Sequence, residues 1–468
     1  MLSPKLLVSA IYVLLPILLI LPVGWQPAIP TVQAAVPIEQ FTLGTSAQDR
    51  PITVLQIGKG KRKLVIVGNT HGGPEANTYD LMLQLIAHFR AYPEEVPETV
   101  RVSFIPTINP DGLALDSRFD SVGVDLNRNM NTNLDTCTEN DWTPTVYGAY
   151  GIVSDTGGPF ADSQVENRLL QAFLLDASGA IFLHSNAGLV FPAFCEHAPS
   201  IAMAEVYAEA ADYAYNRFWP NYMINGGMHD WAGSMGIAAI TPELVSPTES
   251  EFDQNLAGIQ AVMQQYQHTL PLPTDRVEAG IPMPAVLWRY WRARGGEAVF
   301  GLPLGPAIEQ DTSIVQTFTN ARLHLDWSQA DPTRLVTPQP LGRQWIERHH
   351  PTLERTQALS NTEGLPLYQA RPFRYEETPL FFAETGHTLR GSFLTYWRRH
   401  GDAAVFGLPI SEEFVHVTAD GVPRTVHYFE HAVMAYYPED GSVRLEPLGW
   451  QTLFLERLHA TTVGPQVR

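Results

Sequence analysis

The run Lys63-Leu64-Val65-Ile66-Val67-Gly68, continued by Asn69-Thr70-His71-Gly72-Gly73-Pro74-Glu75, decides the fold. Its first half is apolar and β-branched and predicts a buried strand. A strand that stops at a His, two glycines and a Glu ends in a turn. The glycines let the backbone double back tightly, so His71 and Glu75 can face one point at the sheet edge. Imidazole nitrogen and carboxylate oxygen are the ligands of a catalytic zinc, which takes three protein groups and keeps one position open. On these residues alone two readings stand: a metal-binding turn, or a plain βα turn with His71 on the surface and Glu75 opening the next helix.

Outward from this stretch, helical and extended patterns alternate. Strands are expected at residues 101–108, 180–183 and 237–241, and helices at 81–89, 165–175, 201–218 and 252–267. That alternation predicts an α/β sheet covered on both faces. Ligands of such sheets gather at the carboxyl ends of the strands, where His71, Asn109, His184 and Glu243 all fall. Pro271 and Pro273 close this domain near residue 275. An internal repeat follows. Tyr290-Trp291 leads to Phe300-Gly301-Leu302-Pro303, and Tyr396-Trp397 leads at the same interval to Phe406-Gly407-Leu408-Pro409. The expected organisation is a segment 1–35, a domain 36–275, and two β-rich modules at 276–360 and 361–468. No acids, histidines or nucleophiles recur between the copies, so their Trp and Phe residues read as core. The modules are expected to be dispensable for chemistry.

The chain has 468 residues and a formal net charge of -19, spread without an acidic block. That charge argues against nucleic acid or anionic membrane as partner. Two cysteines without a CxxC exclude a cysteine metal site. Lys5, the apolar run Leu6–Val23 and the small residues of Val32-Gln33-Ala34-Ala35 read as a cleaved signal peptide, with an uncleaved anchor as the competing reading. Either places the mature chain outside the cytoplasm, secreted or held at the cell surface. There Cys137 and Cys195 can pair or remain as two buried thiols.

Four further segments belong together: Asn109-Pro110-Asp111-Gly112; Arg118 followed by Gly123-Val124-Asp125-Leu126-Asn127-Arg128-Asn129; Leu183-His184-Ser185; and Thr241-Pro242-Glu243-Leu244. In this order they resemble the zinc carboxypeptidases of the carboxypeptidase A/B type over roughly residues 40 to 270. The resemblance implies a mixed central sheet with helices on both faces and one zinc per chain, held by His71, Glu75 and His184. It implies that Asn127 and Arg128 bind a substrate's terminal carboxylate, that Arg118 steadies the oxyanion and that Glu243 is the general base. It places Tyr222 as a tyrosine covering the substrate, and His229 at the floor of the specificity pocket, where a protonated imidazole would favour polar or acidic side chains. The sequence departs from the family in having three residues, not two, between His71 and Glu75. The implied activity is removal of C-terminal residues from peptides or proteins. An amidase acting on cell-wall peptides and an inactive binding relative are the alternatives. Retention of both Glu243 and Arg128 argues against the last. The C-terminal copies loosely resemble LGFP-type repeats, which implies attachment at a cell surface.

Overall fold

The computed structural model describes residues 35–148, 152–349 and 379–462. The expected signal peptide, Ala35 apart, lies outside them, as does the module border expected at 360/361. In chain order the first part comprises β1 (Ile38–Thr45), β2 (Pro51–Ile57), β3 (Arg62–Val67), α1 (Asn77–Ala91), β4 (Val100–Ile105) and α2 (Pro110–Ala114). A small hairpin, β5 (Val146–Tyr147) and β6 (Val153–Ser154), precedes α3 (Val165–Leu174) and β7 (Ala177–Phe182). Then come β8 (His184–Ser185), β9 (Leu189–Pro192), α4 (Ala198–Ala211), β10 (Ala214–Tyr215), α5 (Met228–Ser234), β11 (Ala238–Leu244) and α6 (Phe252–Gln264).

Nine of these strands form one sheet in the order β1-β2-β4-β3-β7-β11-β9-β10, with β8 also paired to β11. The centre is parallel, β3 lying between β4 and β7 and β7 beside β11. The β1–β2–β4 edge and the β9–β11 pair are antiparallel, so the sheet is mixed. Strand β3 is buried on both faces because its side chains alternate between two cores. Leu64 and Ile66 join Leu85 and Phe89 of α1, Tyr207 of α4 and Ile259 of α6. Val65 and Val67 join Phe173 of α3 and Trp231 of α5.

Two expectations need correction. The helix expected over 201–218 ends at Ala211, because Asp212 takes a left-handed conformation (φ 55°) and β10 begins two residues later. Glu243 does not follow its strand but lies inside β11, in register with His184 of β8.

The repeat is visible in three dimensions. In each copy a tryptophan indole donates to a glycine carbonyl ten residues on: Trp291 to Gly301 (2.9 Å) and Trp397 to Gly407 (3.0 Å). Each copy carries a four-stranded antiparallel sheet, and Trp291, Trp397, Phe300 and Phe406 are core. The helices that close the copies are exchanged. Leu341–His349 packs Leu341 and Ile346 against Val426 and Tyr428 of the second copy, with Arg343 N–H donating to the Glu430 carbonyl (2.9 Å). Leu448–Thr462 docks on the first copy through Trp450 N–H to the Thr319 carbonyl (3.0 Å).

Candidate active site

The turn after β3 holds the first donors. His71 is followed by a single 3-10 turn, Gly73–Glu75, before α1 starts at Asn77. That turn takes up the extra residue between His71 and Glu75 and still brings both side chains inward. Gly72 is required by packing: a Cβ there would sit 2.1 Å from the backbone of Gly112 and 2.3 Å from the Ser117 carbonyl. This contact presses the loop carrying Arg118 against the turn.

His71, Glu75 and His184 meet. Their donor atoms lie within 4.8 Å of one another, and all three residues are buried. His71 Nδ1 is 2.6 Å from Glu75 Oε1, and His184 Nδ1 is 2.8 Å from Glu75 Oε2. Two imidazoles and a carboxylate aimed at one point are a candidate zinc donor set, with Nδ1 of both rings turned to the carboxylate.

Asp125, to which the sequence reading assigned no role, organises the surroundings. Its Oδ1 is 2.9 Å from His71 Nε2 and accepts Asn127 N–H (3.0 Å), while Oδ2 accepts Arg118 Nε–H (3.0 Å). One carboxylate thus fixes His71, Arg118 and the start of the Asn127-Arg128 turn. The signal was present in the Gly-Val-Asp-Leu-Asn-Arg run, where an Asp two residues before Asn127 can cap its amide.

Arg118 reaches Glu75 Oε1 as well (3.2 Å). Asn127 is held by Met228 N–H donating to its Oδ1 (2.8 Å), which turns its Nδ2 toward His184 Nε2 (3.4 Å). Arg128 is 3 % exposed, yet among the described residues no carboxylate lies within ion-pair distance of it. Its guanidinium touches its neighbour's carbonyl (2.7 Å) and the Tyr222 hydroxyl (3.4 Å). Gly226 permits the approach of the Tyr222 loop, since a Cβ there would stand 2.4 Å from the Arg128 carbonyl.

Electrostatics separate the titrating groups. Burial works against charge on His71, but Glu75 and Asp125 outweigh it and raise its pKa. Burial lowers His184 to about 4. Glu75 is held well below the carboxylate range because His71 and His184 overcome the cost of burial. Glu243 is pushed well above that range, first by burial and then by the charge of Glu75.

Beside this cluster a cavity of about 330 Å³ is lined by Phe191, Phe194, Phe218, Trp219, Tyr222 and His229. His229 is buried, with Nε2 3.2 Å from Asp230 Oδ1 and Nδ1 without a partner. Burial lowers its pKa. Cys137 and Cys195 form a disulfide (Cα–Cα 5.8 Å) beside it.

Residues 32–266 match a family model described as zinc carboxypeptidase. Among solved structures the chain is similar to thrombin-activatable fibrinolysis inhibitor, at 18% identity and a TM-score of 0.42 over 50% of this chain and 69% of that one. It is similar to carboxypeptidase A from Helicoverpa armigera (19%, TM-score 0.40, 48% and 68%). It is also similar to murein-tripeptide amidase MpaA from Escherichia coli O157 (19%, TM-score 0.36, 51% and 95%). No curated protein matches.

Proposed function

The chain belongs to the zinc carboxypeptidase family, and from that premise we propose that it is an exported zinc-dependent exopeptidase that removes C-terminal residues from peptides. The observation that carries this reading is Arg128, a buried guanidinium with no acid partner among the described residues, opening beside the His71–Glu75–His184 cluster. A buried cation without a paired carboxylate calls for an anion, and a peptide's terminal carboxylate supplies one in bidentate geometry.

In this reading His71, Glu75 and His184 hold one zinc ion. When bound, zinc lowers the pKa of water and polarises a carbonyl. Glu243 takes the proton of the attacking water and returns it to the leaving amine. Arg118, fixed by Asp125, faces the negative charge that builds on the carbonyl oxygen. Asn127 and Arg128 bind the terminal carboxylate, Tyr222 covers it, and the aromatic cavity takes an apolar or aromatic last side chain. The Cys137–Cys195 disulfide supports a location outside the cytoplasm, and the C-terminal repeats are proposed to attach the enzyme at a cell surface.

The test is a matched pair of aromatic-ended peptides, free acid and amide, assayed on the wild type and on Arg128→Ala and Glu243→Gln. A charge-assisted bond contributes roughly 1.5 to 3 kcal/mol, about ten- to a hundredfold in kcat/KM. Arg128→Ala should lose at least that on the free acid and much less on the amide. Glu243→Gln should keep zinc and lose about 10²- to 10⁴-fold in turnover. Equal cleavage of acid and amide by the wild type would remove the carboxylate clamp and favour an amidase or endopeptidase.

A further inference from the structure

A second cavity, of about 310 Å³, opens where the loop preceding α3 meets both repeats. Trp142 and Phe160 line it from that loop, Arg168 from α3, Arg294 from the first repeat, and Arg398 and Arg399 from the second. The repeat arrangement explains the gathering. Trp291-Arg292-Ala293-Arg294-Gly295 and Trp397-Arg398-Arg399-His400-Gly401 are equivalent helix ends, both stopped by a glycine at positive φ (106° and 104°). The two turns abut: a Cβ at Gly295 would lie 3.3 Å from His400 Nδ1, and one at Gly401 3.4 Å from Arg294 Cδ. Duplication has brought two basic helix ends to one point.

Their charge is only partly answered locally. Arg168 donates to the carbonyls of Asp162 and Ser163 and pairs with Asp402 (3.3 Å). Among the described residues Arg294 donates to neutral acceptors, Gln171 Oε1 (3.3 Å) and the Arg168 carbonyl (3.2 Å). Among the described residues no carboxylate pairs with Arg398 or Arg399. Among the described residues four guanidiniums stand against two carboxylates, Asp162 and Asp402, a surplus of two positive charges. In a chain of net charge -19, composition does not produce such a site by default.

We propose that this cavity binds a phosphate group, either the free dianion or the monoester of a sugar whose ring lies against Trp142 and Phe160. The dianion matches the surplus of two, and guanidinium forks match phosphate oxygens in bidentate fashion. The volume, about ten times the liquid-volume share of one water, admits the sugar as well. This site is separate from the peptide cleft, since no residue of one cavity lines the other.

Calorimetric titration of the full chain with sodium phosphate, glucose 6-phosphate and glucose, at matched ionic strength, tests it. Expected is saturable binding of one phosphate per chain, weakened more than tenfold in the Arg398→Ala/Arg399→Ala double variant and unchanged in Arg128→Ala. Tighter binding of glucose 6-phosphate than of phosphate assigns the ring to the aromatic wall, and equal binding assigns the phosphate alone. Absence of saturable binding in the wild type overturns the proposal. So does loss in Arg128→Ala with the double variant unaffected, which would put the anion in the peptide cleft. Should the double variant fail to fold, the wild type decides by thermal shift: no rise in melting temperature with phosphate over chloride sinks the idea.

Discussion

Asp125 shows how much of the site depends on a residue that touches no substrate. Its two oxygens reach His71, Arg118 and the Asn127 amide at 2.9 to 3.0 Å. A carboxylate behind a metal-binding imidazole sets the tautomer and aims the ring, and losing it typically costs ten- to a hundredfold in affinity. Asp125→Asn should therefore retain zinc but release it at about ten- to a hundredfold lower chelator strength. His71→Ala and His184→Ala each remove one of the three proposed ligands and should abolish retention. Metal analysis across a chelator series separates the graded loss from the complete one. If Asp125→Asn holds zinc as firmly as the wild type, Asp125 does not orient His71. The sequence made His71, Glu75 and His184 legible because only a few residue types can ligate. Asp125 stayed hidden because an Asp inside a loop reads equally well as a turn cap, and only the fold brings it to His71.

Among elements, the strands that cross the sheet centre were legible, since burial on both faces demands an unbroken β-branched run such as Leu64–Val67. Strand β1 was not: Ile38–Thr45 is mostly exposed and carries Glu39, Gln40 and Thr42 among its residues, so no apolar pattern marks it. The end of α4 was missed for a different reason. Its Ala-rich sequence continues with no glycine or proline, and only the left-handed Asp212 stops it. Pairing of Cys137 and Cys195, left open by sequence, links the loop after Met130 to the segment after β9 across 58 residues. Closing a loop of that size restricts the unfolded chain and contributes about 2–4 kcal/mol. The Cys137→Ser/Cys195→Ser double variant should lose that much in urea denaturation. A loss below about 0.5 kcal/mol would mean that the unfolded chain is already restricted by other means.

At the scale of the whole molecule the Pro-rich stretch near residue 272 marks a change of pattern in the chain but not an independent surface. Arg289, in the first helix of the repeats (Ala285–Ala293), is buried against the sheet domain. Its guanidinium donates to the carbonyls of Met235 (2.9 Å), Leu175 (2.9 Å), Ala177 (2.8 Å) and Gly236 (3.2 Å). Leu175 itself packs with Trp288 and Trp291 of the repeats. No sequence period reveals this, because one Arg in an aromatic helix carries no sign of the carbonyls that will surround it. Its guanidinium is held partly against its will, burial lowering its pKa to about 10, so the four acceptors must compensate for the lost water. Arg289→Ala removes the donor and strands those carbonyls, and should lower stability by about 2–4 kcal/mol. Arg289→Lys should recover only part, since one ammonium cannot span the acceptors a planar fork reaches. No repeat residue lines the cavity beside the His71–Glu75–His184 cluster, so turnover per folded molecule should survive in both variants. A chain ending at Leu272 should show the same division, normal turnover while folded and a stability deficit at least as large as that of Arg289→Ala. Urea denaturation followed in parallel with peptide turnover measures both quantities. If the shortened chain matches the full one in stability, the carbonyl-bound arginine is incidental and the sheet domain stands alone.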